Sequence, residues 1–437
     1  MKKLGFLLII LSLTVFFSAC PPLLEDDEKD DPSGDVIVSD DTLDRYKWFD
    51  ILDKIAKEGK FVSLDLSKCS YDEKNELGGL IKIPINGEDF IVFDPFPASS
   101  SGKNFIVSII LPVITQAIIN AEDDLIIDDE FNSSEKNIEN AKRRSAFNSF
   151  KNLRKINGDN ITFIGNFAFA DCTALTEVVF PRVGHTLTSK EFQGIDSPIE
   201  DIGKYAFLGC TGLKKIKFNS AAVIGGYAFK DCTSLSEIDF PEVWMIEKNV
   251  FEGCKSLVNV FFEEVTEIRD EAFKNCIKLE KAEFNVTPVP PGADPNSGLP
   301  GTGTGISYID PEDYSHLGSS VIFHPSAFTG CKALEVLNVR NAWNVYFAKD
   351  VFANTSAALE IYLLDVPNDD NTSFGHPQSA LFLGKDVTIS VKKVNIIVPT
   401  LKLPENTKIY GNQEPRNIVG FIKQNYSNLT EINVIKR

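Results

Sequence analysis

One short phrase recurs along this chain at a spacing that leaves few folds open. It stands at Ala168-Phe169, Ala206-Phe207, Ala228-Phe229, Val250-Phe251, Ala272-Phe273 and Ala327-Phe328. Three residues after each Phe comes a cysteine: Cys172, Cys210, Cys232, Cys254, Cys276 and Cys331. Three further on comes a leucine: Leu175, Leu213, Leu235, Leu257, Leu279 and Leu334. The cysteines are 38, 22, 22, 22 and 55 residues apart. A fixed period of this length marks a repeat solenoid, in which each unit is stabilised by its neighbours and not by a core of its own.

The unit Leu235-Ser236-Glu237-Ile238-Asp239-Phe240-Pro241 shows how a turn of the coil is built. Leu235, Ile238 and Phe240 point inward, while Ser236, Glu237 and Asp239 face water. Ile238 to Phe240 has the two-residue alternation of a strand, and Pro241 ends it. One such strand per unit stacks into a parallel sheet. The Ala-Phe-x-x-Cys stretch returns the chain along the other side, with Phe169, Phe207, Phe229, Phe251, Phe273 and Phe328 filling the space between. Gly in Ile164-Gly165, Ile202-Gly203 and Ile224-Gly225 is expected to supply a turn conformation closed to other residues. The six repeat cysteines read as buried thiols packing as small hydrophobes. Phe150 supports this, because 22 residues earlier it fills the cysteine slot beside Ala146-Phe147. The fold class is therefore a leucine-rich-repeat-like solenoid of ~22-residue units with short parallel strands and short turns or helices.

The rest of the chain arranges itself around this array. Lys2 and Lys3, then the apolar stretch Leu4 to Phe17, then Ser18-Ala19-Cys20 read as a signal peptide over 1–19 with Cys20 as a lipidated first residue. Residues 20–41, rich in Asp and Glu, are expected to form a disordered acidic tether. Residues 42–145 read as an N-terminal cap helix, capped by Asp41 and closed by Gly59, followed by diverged repeats with strands near 61–66, 80–85, 90–93 and 105–111. In that helix Leu43, Tyr46, Phe49 or Trp48, Ile51, Leu52 and Ile55 recur at helical spacing. Repeats run over 146–365, interrupted by insertions near 184–198 and 287–317. Residues 366–437 form a diverged repeat and C-terminal cap, with a helix expected at 418–426 and a closing strand at 429–435.

Charge narrows the partners. The formal net charge is −18, and removal of Lys2 and Lys3 makes it −20. Such a field opposes nucleic acid and anionic lipid. After the first stretch no run of 18 apolar residues occurs, so the lipid on Cys20 is the expected membrane link. His185, His316, His324 and His376 show no metal-ligand spacing, and no phosphate loop, nucleophile elbow or paired catalytic carboxylates stand out. Neither an enzyme nor a cofactor or metal is expected. Recognition falls to outward residues of the strands. Phe261 stands where other units carry Val179, Lys217, Asp239 or Glu283, and Trp244 aligns with Ala222 and Thr266, so these two are the candidate partner contacts.

The phrase Ile-Gly-x-x-Ala-Phe-x-x-Cys-x-x-Leu-x-x-Ile-x-Phe/Ile-Pro, nearly whole at 164–181 and 224–241, resembles the BspA-like leucine-rich repeat family of bacterial surface proteins. The resemblance covers 146–365 and extends loosely to 61–112. It implies an exported or surface-anchored protein, which together with the lipidated Cys20 gives the expectation of a lipid-anchored protein of the bacterial outer membrane or cell surface. That protein would act as an adhesin on an extracellular or host matrix protein, on host cells or on other bacteria. It brings no catalytic residues. The alternative is a structural envelope lipoprotein facing the periplasm with no host ligand.

Overall fold

In the computed structural model the described residues are 35–38, 42–74, 79–85, 88–95, 101–118, 147, 150–184, 201–285, 320–340, 344–347, 350–356, 359–364, 380–383, 393–398, 408–409, 416–417 and 431–436. Cys20, the signal stretch, most of the acidic tether, the interiors of both insertions and the helix expected at 418–426 lie outside them. So do Glu122 to Lys142, His185, His316 and His376.

Each turn of the coil carries two strands, not one. The longer strands lie along one side of the coil in three parallel ladders: Asp35–Val38, Val62–Asp65, Ile106–Ile110, Lys155–Asn157 and Glu177–Val179; then Lys215–Lys217 and Glu237–Asp239; then Asn259–Phe262, Lys281–Asn285, Val336–Arg340, Glu360–Leu364, Lys393–Val398 and Glu431–Lys436. A second sheet runs through the Ile-Gly segments: Ala117–Ile118, Phe163–Ile164, Val223–Ile224, Met245–Ile246, Glu267–Ile268, Ser320–Phe323, Asn344–Phe347 and Ala380–Leu383. Bridges through Ile202 keep it continuous where the first insertion enters. The antiparallel hairpin Gly79–Ile85 and Glu88–Asp94 closes its N-terminal end. Two-residue strands carry no readable alternation, so the sequence pattern shows this sheet only as a spaced isoleucine.

The Ala-Phe-x-x-Cys turn occupies the third side. Phe93, Phe147, Phe169, Phe207, Phe229, Phe251, Phe273, Phe328 and Phe352 form one column, with neighbouring ring centroids 4.8 to 6.2 Å apart. The backbone amide of each Phe donates to the next rung, as in Phe207 N to Ala228 O at 2.7 Å and Phe229 N to Val250 O at 2.9 Å. Leu175, Leu213, Leu235, Leu257, Leu279 and Leu334 are fully buried beneath the longer strands.

The glycines do a different job from the one expected. Gly165, Gly203 and Gly225 do not have positive φ. At Gly203 a Cβ would lie 2.6 Å from the Asn166 amide nitrogen, so close approach of two rungs excludes a side chain there. The left-handed backbone falls instead in two other rows: in the slot before the cysteine, at Asp171, Gly209, Asp231, Gly253, Asn275, Gly330 and Asn354, and two residues before each repeat Phe, at Phe167, Tyr205, Tyr227, Asn249, Glu271, Ser326 and Asp350. The first row holds the residue types that tolerate φ near +60°. Its members also alternate. Asp171 Oδ1 stands 2.4 Å from where a Cβ of Gly209 would be, Asp231 Oδ1 does the same at Gly253, and Asn275 Oδ1 lies 2.5 Å from that point at Gly330. A long side chain on one rung rests over a bare backbone on the next. Gly253→Ala is expected to cost about 1–2 kcal/mol from left-handed strain. The crowding part of that cost should shrink in an Asp231→Gly background, and a double-mutant cycle by urea unfolding measures it. Equal costs in both backgrounds would remove the pairing.

The N-terminal end is closed by helix Arg45–Glu58. Its cap is Asp44, not Asp41: Asp44 Oδ1 accepts from Lys47 N at 2.9 Å. Gly59 ends it in the left-handed conformation, as expected. Trp48, Leu52 and Ile55 are the residues buried against the first turns, which settles Trp48 over Phe49. Residues 35–38, expected in the tether, form the outermost strand and pair in parallel with 62–65.

Candidate binding face

The residues singled out for the repeat core all lie inside the coil. Phe169, Phe207, Phe229, Phe251, Phe273 and Phe328, with Cys210, Cys232, Cys254, Cys276 and Cys331, are fully buried, and Cys172 nearly so. Every one of these thiols donates to the carbonyl of the Phe one rung back, at 3.0 to 3.3 Å: Cys172 to Phe147, Cys210 to Phe169, Cys232 to Phe207, Cys254 to Phe229, Cys276 to Phe251 and Cys331 to Phe273. That carbonyl already accepts a backbone amide, as Phe169 O does from Cys172 N, so the thiol uses its second lone pair. Burial pushes the thiols of Cys172, Cys210, Cys232, Cys254 and Cys276 above their ordinary range, which suppresses thiolate chemistry. The described cysteines form no disulfide.

No group of three or more His, Cys, Asp or Glu among the described residues is arranged to hold a metal ion. His324 lies where earlier rungs carry Gly203 or Gly225, with Nε2 2.9 Å from Glu267 Oε1. Arg269 joins Glu267 to Glu247 at 3.1 and 2.9 Å. Partial burial pushes the Glu267 carboxyl up, but its His324 and Arg269 partners hold it below its usual value. Arg269 thus bridges the two carboxylates, and His324 takes the remaining contact to Glu267.

The first insertion leaves a chemical mark where it rejoins the coil. On other rungs the residue opening the short strand donates its amide to a backbone carbonyl one rung back, as Trp244 N does to Ala222 O. At the insertion the Asp201 carboxylate takes over, accepting from Ala222 N at 2.7 Å and Val223 N at 3.3 Å. Burial drives its pKa up to about 6 against the lowering effect of those two bonds. The native carboxyl thus holds a proton between about pH 4 and pH 6 that the unfolded chain releases, and wild-type stability falls across that window. Asp201→Asn keeps an acceptor and abolishes the titration. Its unfolding free energy relative to wild type, followed by thermal melts, should climb from pH 4 to pH 6.5 and then level off, by an amount on the order of 2 kcal/mol. Parallel pH profiles would show that Asp201 does not titrate in this window.

The two candidate contacts fall on different sides of the coil. Phe261 lies on the outer face of the longer-strand sheet and is 49% exposed. Trp244 opens a short strand on the other sheet, half-buried, and shares no site with Phe261. On the face that carries Phe261, charges cancel between and within rungs. Lys155 meets Glu177 at 2.7 Å, Lys217 meets Asp239 at 2.5 Å, Lys215 pairs with Glu237, and Lys281 meets Glu283 at 2.8 Å. Asn338 donates to Glu283 at 2.8 Å. Partial burial pushes the Glu283 carboxyl up, but Lys281 and Asn338 together hold it below its ordinary value. Exposed pairs of this kind contribute only about 0–1 kcal/mol each to stability. Their consequence is electrostatic: the face has no strong field of either sign. Ile110 and Val179, each 39% exposed, lie in the same outward row as Phe261. Both are apolar positions that the sequence reading did not single out as contacts.

Residues 130–197 and 189–291 match the model of the BspA type leucine rich repeat region, in six copies. Among solved structures, a leucine-rich repeat protein from Bacteroides ovatus ATCC 8483 is 16% identical, with a TM-score of 0.31, covering 83% of this chain and 90% of its own. The pneumococcal vaccine antigen PcpA is 12% identical, with a TM-score of 0.27, covering 83% of this chain and 100% of its own. No curated protein matches the chain.

Proposed function

Because the array at 130–291 is built of BspA type leucine-rich repeats, we propose that this protein is a lipid-anchored adhesin of the bacterial surface. It binds an extracellular protein through the outer face of the longer-strand sheet. The observation that carries this reading is Phe261. An aromatic ring half open to water, on a sheet face whose charges are already paired, favours contact with a partner over solvation. Signal-like residues 1–19 and Cys20 support the anchor, and no helix among the described residues is long and apolar enough to cross a membrane.

Two measurements test the reading. Protease added to intact cells should digest the protein; full protection would favour the periplasmic, structural role instead. The purified protein from residue 21 onward should bind at least one member of a panel of immobilised extracellular matrix proteins. Failure on the whole panel, together with unchanged cell attachment on deletion, would remove the adhesin reading.

A further inference from the structure

The cysteine column is closed at both ends and holds an even number of thiols. Phe150 fills the slot before Cys172 and Thr355 the slot after Cys331, so six thiols stand in line between them. Both insertions fall between members of the column, yet those members remain neighbours in space. The residue before each cysteine donates its amide to the next rung: Asp171 N to Leu208 O at 2.7 Å, Gly209 N to Lys230 O at 2.9 Å, Asp231 N to Glu252 O at 2.8 Å, Gly253 N to Lys274 O at 2.8 Å and Asn275 N to Thr329 O at 2.9 Å. The first and last of these bonds join rungs across an insertion. Rungs bonded in this way stand about 4.8 Å apart, within the roughly 4.4–6.8 Å between Cα atoms that a disulfide spans. Cysteines two rungs apart, at about 9.6 Å, are out of reach.

We propose that the column is a latent set of rung-to-rung disulfides, formed by exchange with a small disulfide, that clips the coil at the base of each insertion. In the closed coil every thiol of the column is buried and donates to a Phe carbonyl one rung back, so exchange waits until an interface between rungs opens. A thiolate exposed in this way attacks one sulfur of oxidised glutathione and releases one glutathione thiolate. The thiolate of the neighbouring rung then attacks the protein sulfur of the mixed disulfide and releases the second. Two cysteines are oxidised, one glutathione disulfide is reduced, and the two protons end on the two glutathione thiols. Six thiols in line allow one complete pairing of neighbours: Cys172–Cys210, Cys232–Cys254 and Cys276–Cys331. Every other choice of neighbours strands at least two thiols. The first link encloses residues 184–198 and the third encloses 287–317, so complete pairing closes a loop around each insertion and ties together the two rungs it separates in sequence. Cys69 follows the strand Val62–Asp65 on an earlier rung and stands outside the column. An exported location, as proposed above, is one where such links persist. The pairing itself is a property of the coil and is tested without that reading.

The test holds the protein from residue 21 onward in a buffer of reduced and oxidised glutathione at pH 8, with urea just below the unfolding midpoint, then alkylates free thiols and maps the links by mass spectrometry of proteolytic fragments. The three links above should dominate, with Cys69 alkylated. The oxidised protein, returned to native buffer, should unfold at a higher urea concentration than the reduced one. Without urea, all seven thiols should stay reduced over the same time. In the double variant Cys172→Ala/Cys331→Ala the links should move by one rung, to Cys210–Cys232 and Cys254–Cys276, which a fixed preference of particular cysteines would not produce. Predominant Cys210–Cys232 or Cys254–Cys276 links in wild type, links between cysteines two or more rungs apart, or a lower urea midpoint after oxidation would each overturn the proposal. So would thiols that are alkylated in urea yet form no links, or oxidation that is as fast without urea as with it.

Discussion

Phe251→Ala should destabilise the array by about 3–5 kcal/mol, the usual cost of emptying a buried aromatic site. The Phe251 ring is stacked between Phe229 at 5.7 Å and Phe273 at 5.2 Å, with Phe240 at 6.3 Å and Phe262 at 6.5 Å beside it. In a solenoid each rung is held by the two beside it, so the loss falls on a single interface near the middle. The array is then expected to unfold in two steps in guanidinium chloride, where the wild type unfolds with closer coupling. Trp48 in the cap helix reports on the N-terminal part, and Trp244 reports on the damaged rung. A single transition displaced by less than about 1 kcal/mol would mean that the neighbouring rings close the gap.

The second large effect is at Lys103, beneath the cap helix. Its side chain is 1% exposed, with Nζ 5.3 Å from the centre of the Phe150 ring. Gly102 beside it is pressed against the helix so closely that a Cβ would lie 2.1 Å from Leu52 O, which holds the Lys103 backbone under the helix. Burial lowers its pKa from 10.5 to about 7, against the raising effect of Asp94. Between pH 7 and pH 10.5 the unfolded chain therefore holds a proton that the native chain has released, and stability rises with pH across this range. The slope from this one group approaches about 1.4 kcal/mol per pH unit, for a gain on the order of 3 kcal/mol. Lys103→Met should remove that slope, so wild type gains on the variant as pH is raised from 7 to 10. Thermal melts at matched ionic strength measure the difference. Curves that stay parallel would show that Lys103 keeps its ordinary pKa and has access to water.

Phe150 shows how far the repeat pattern could be read. Its place in the cysteine slot pointed to burial at that slot, and the structure gives the reason for the bulk. The preceding turn there is the short helix Ser101–Phe105 instead of a standard rung, and the ring covers Lys103. The row before the cysteines was equally legible. Asp171, Gly209, Asp231, Gly253, Asn275 and Gly330 are the residue types of a left-handed backbone, and their alternation needed only alignment of the repeats. Ile238 carried no such signal. It matches Ile216 in type and position, yet one is buried and the other partly open.

That contrast divides what the sequence determined from what only the tertiary structure decided. The period, the apolar positions and the buried thiols are properties of one unit repeated, so every copy reports them and the coil follows. The second sheet, the missing ladder at Ile238, the substitution of Asp201 for a backbone carbonyl and the separation of Phe261 from Trp244 are relations between units. They depend on how one rung settles on the next, to within a hydrogen bond's tolerance. A residue type read along the chain does not record that fit.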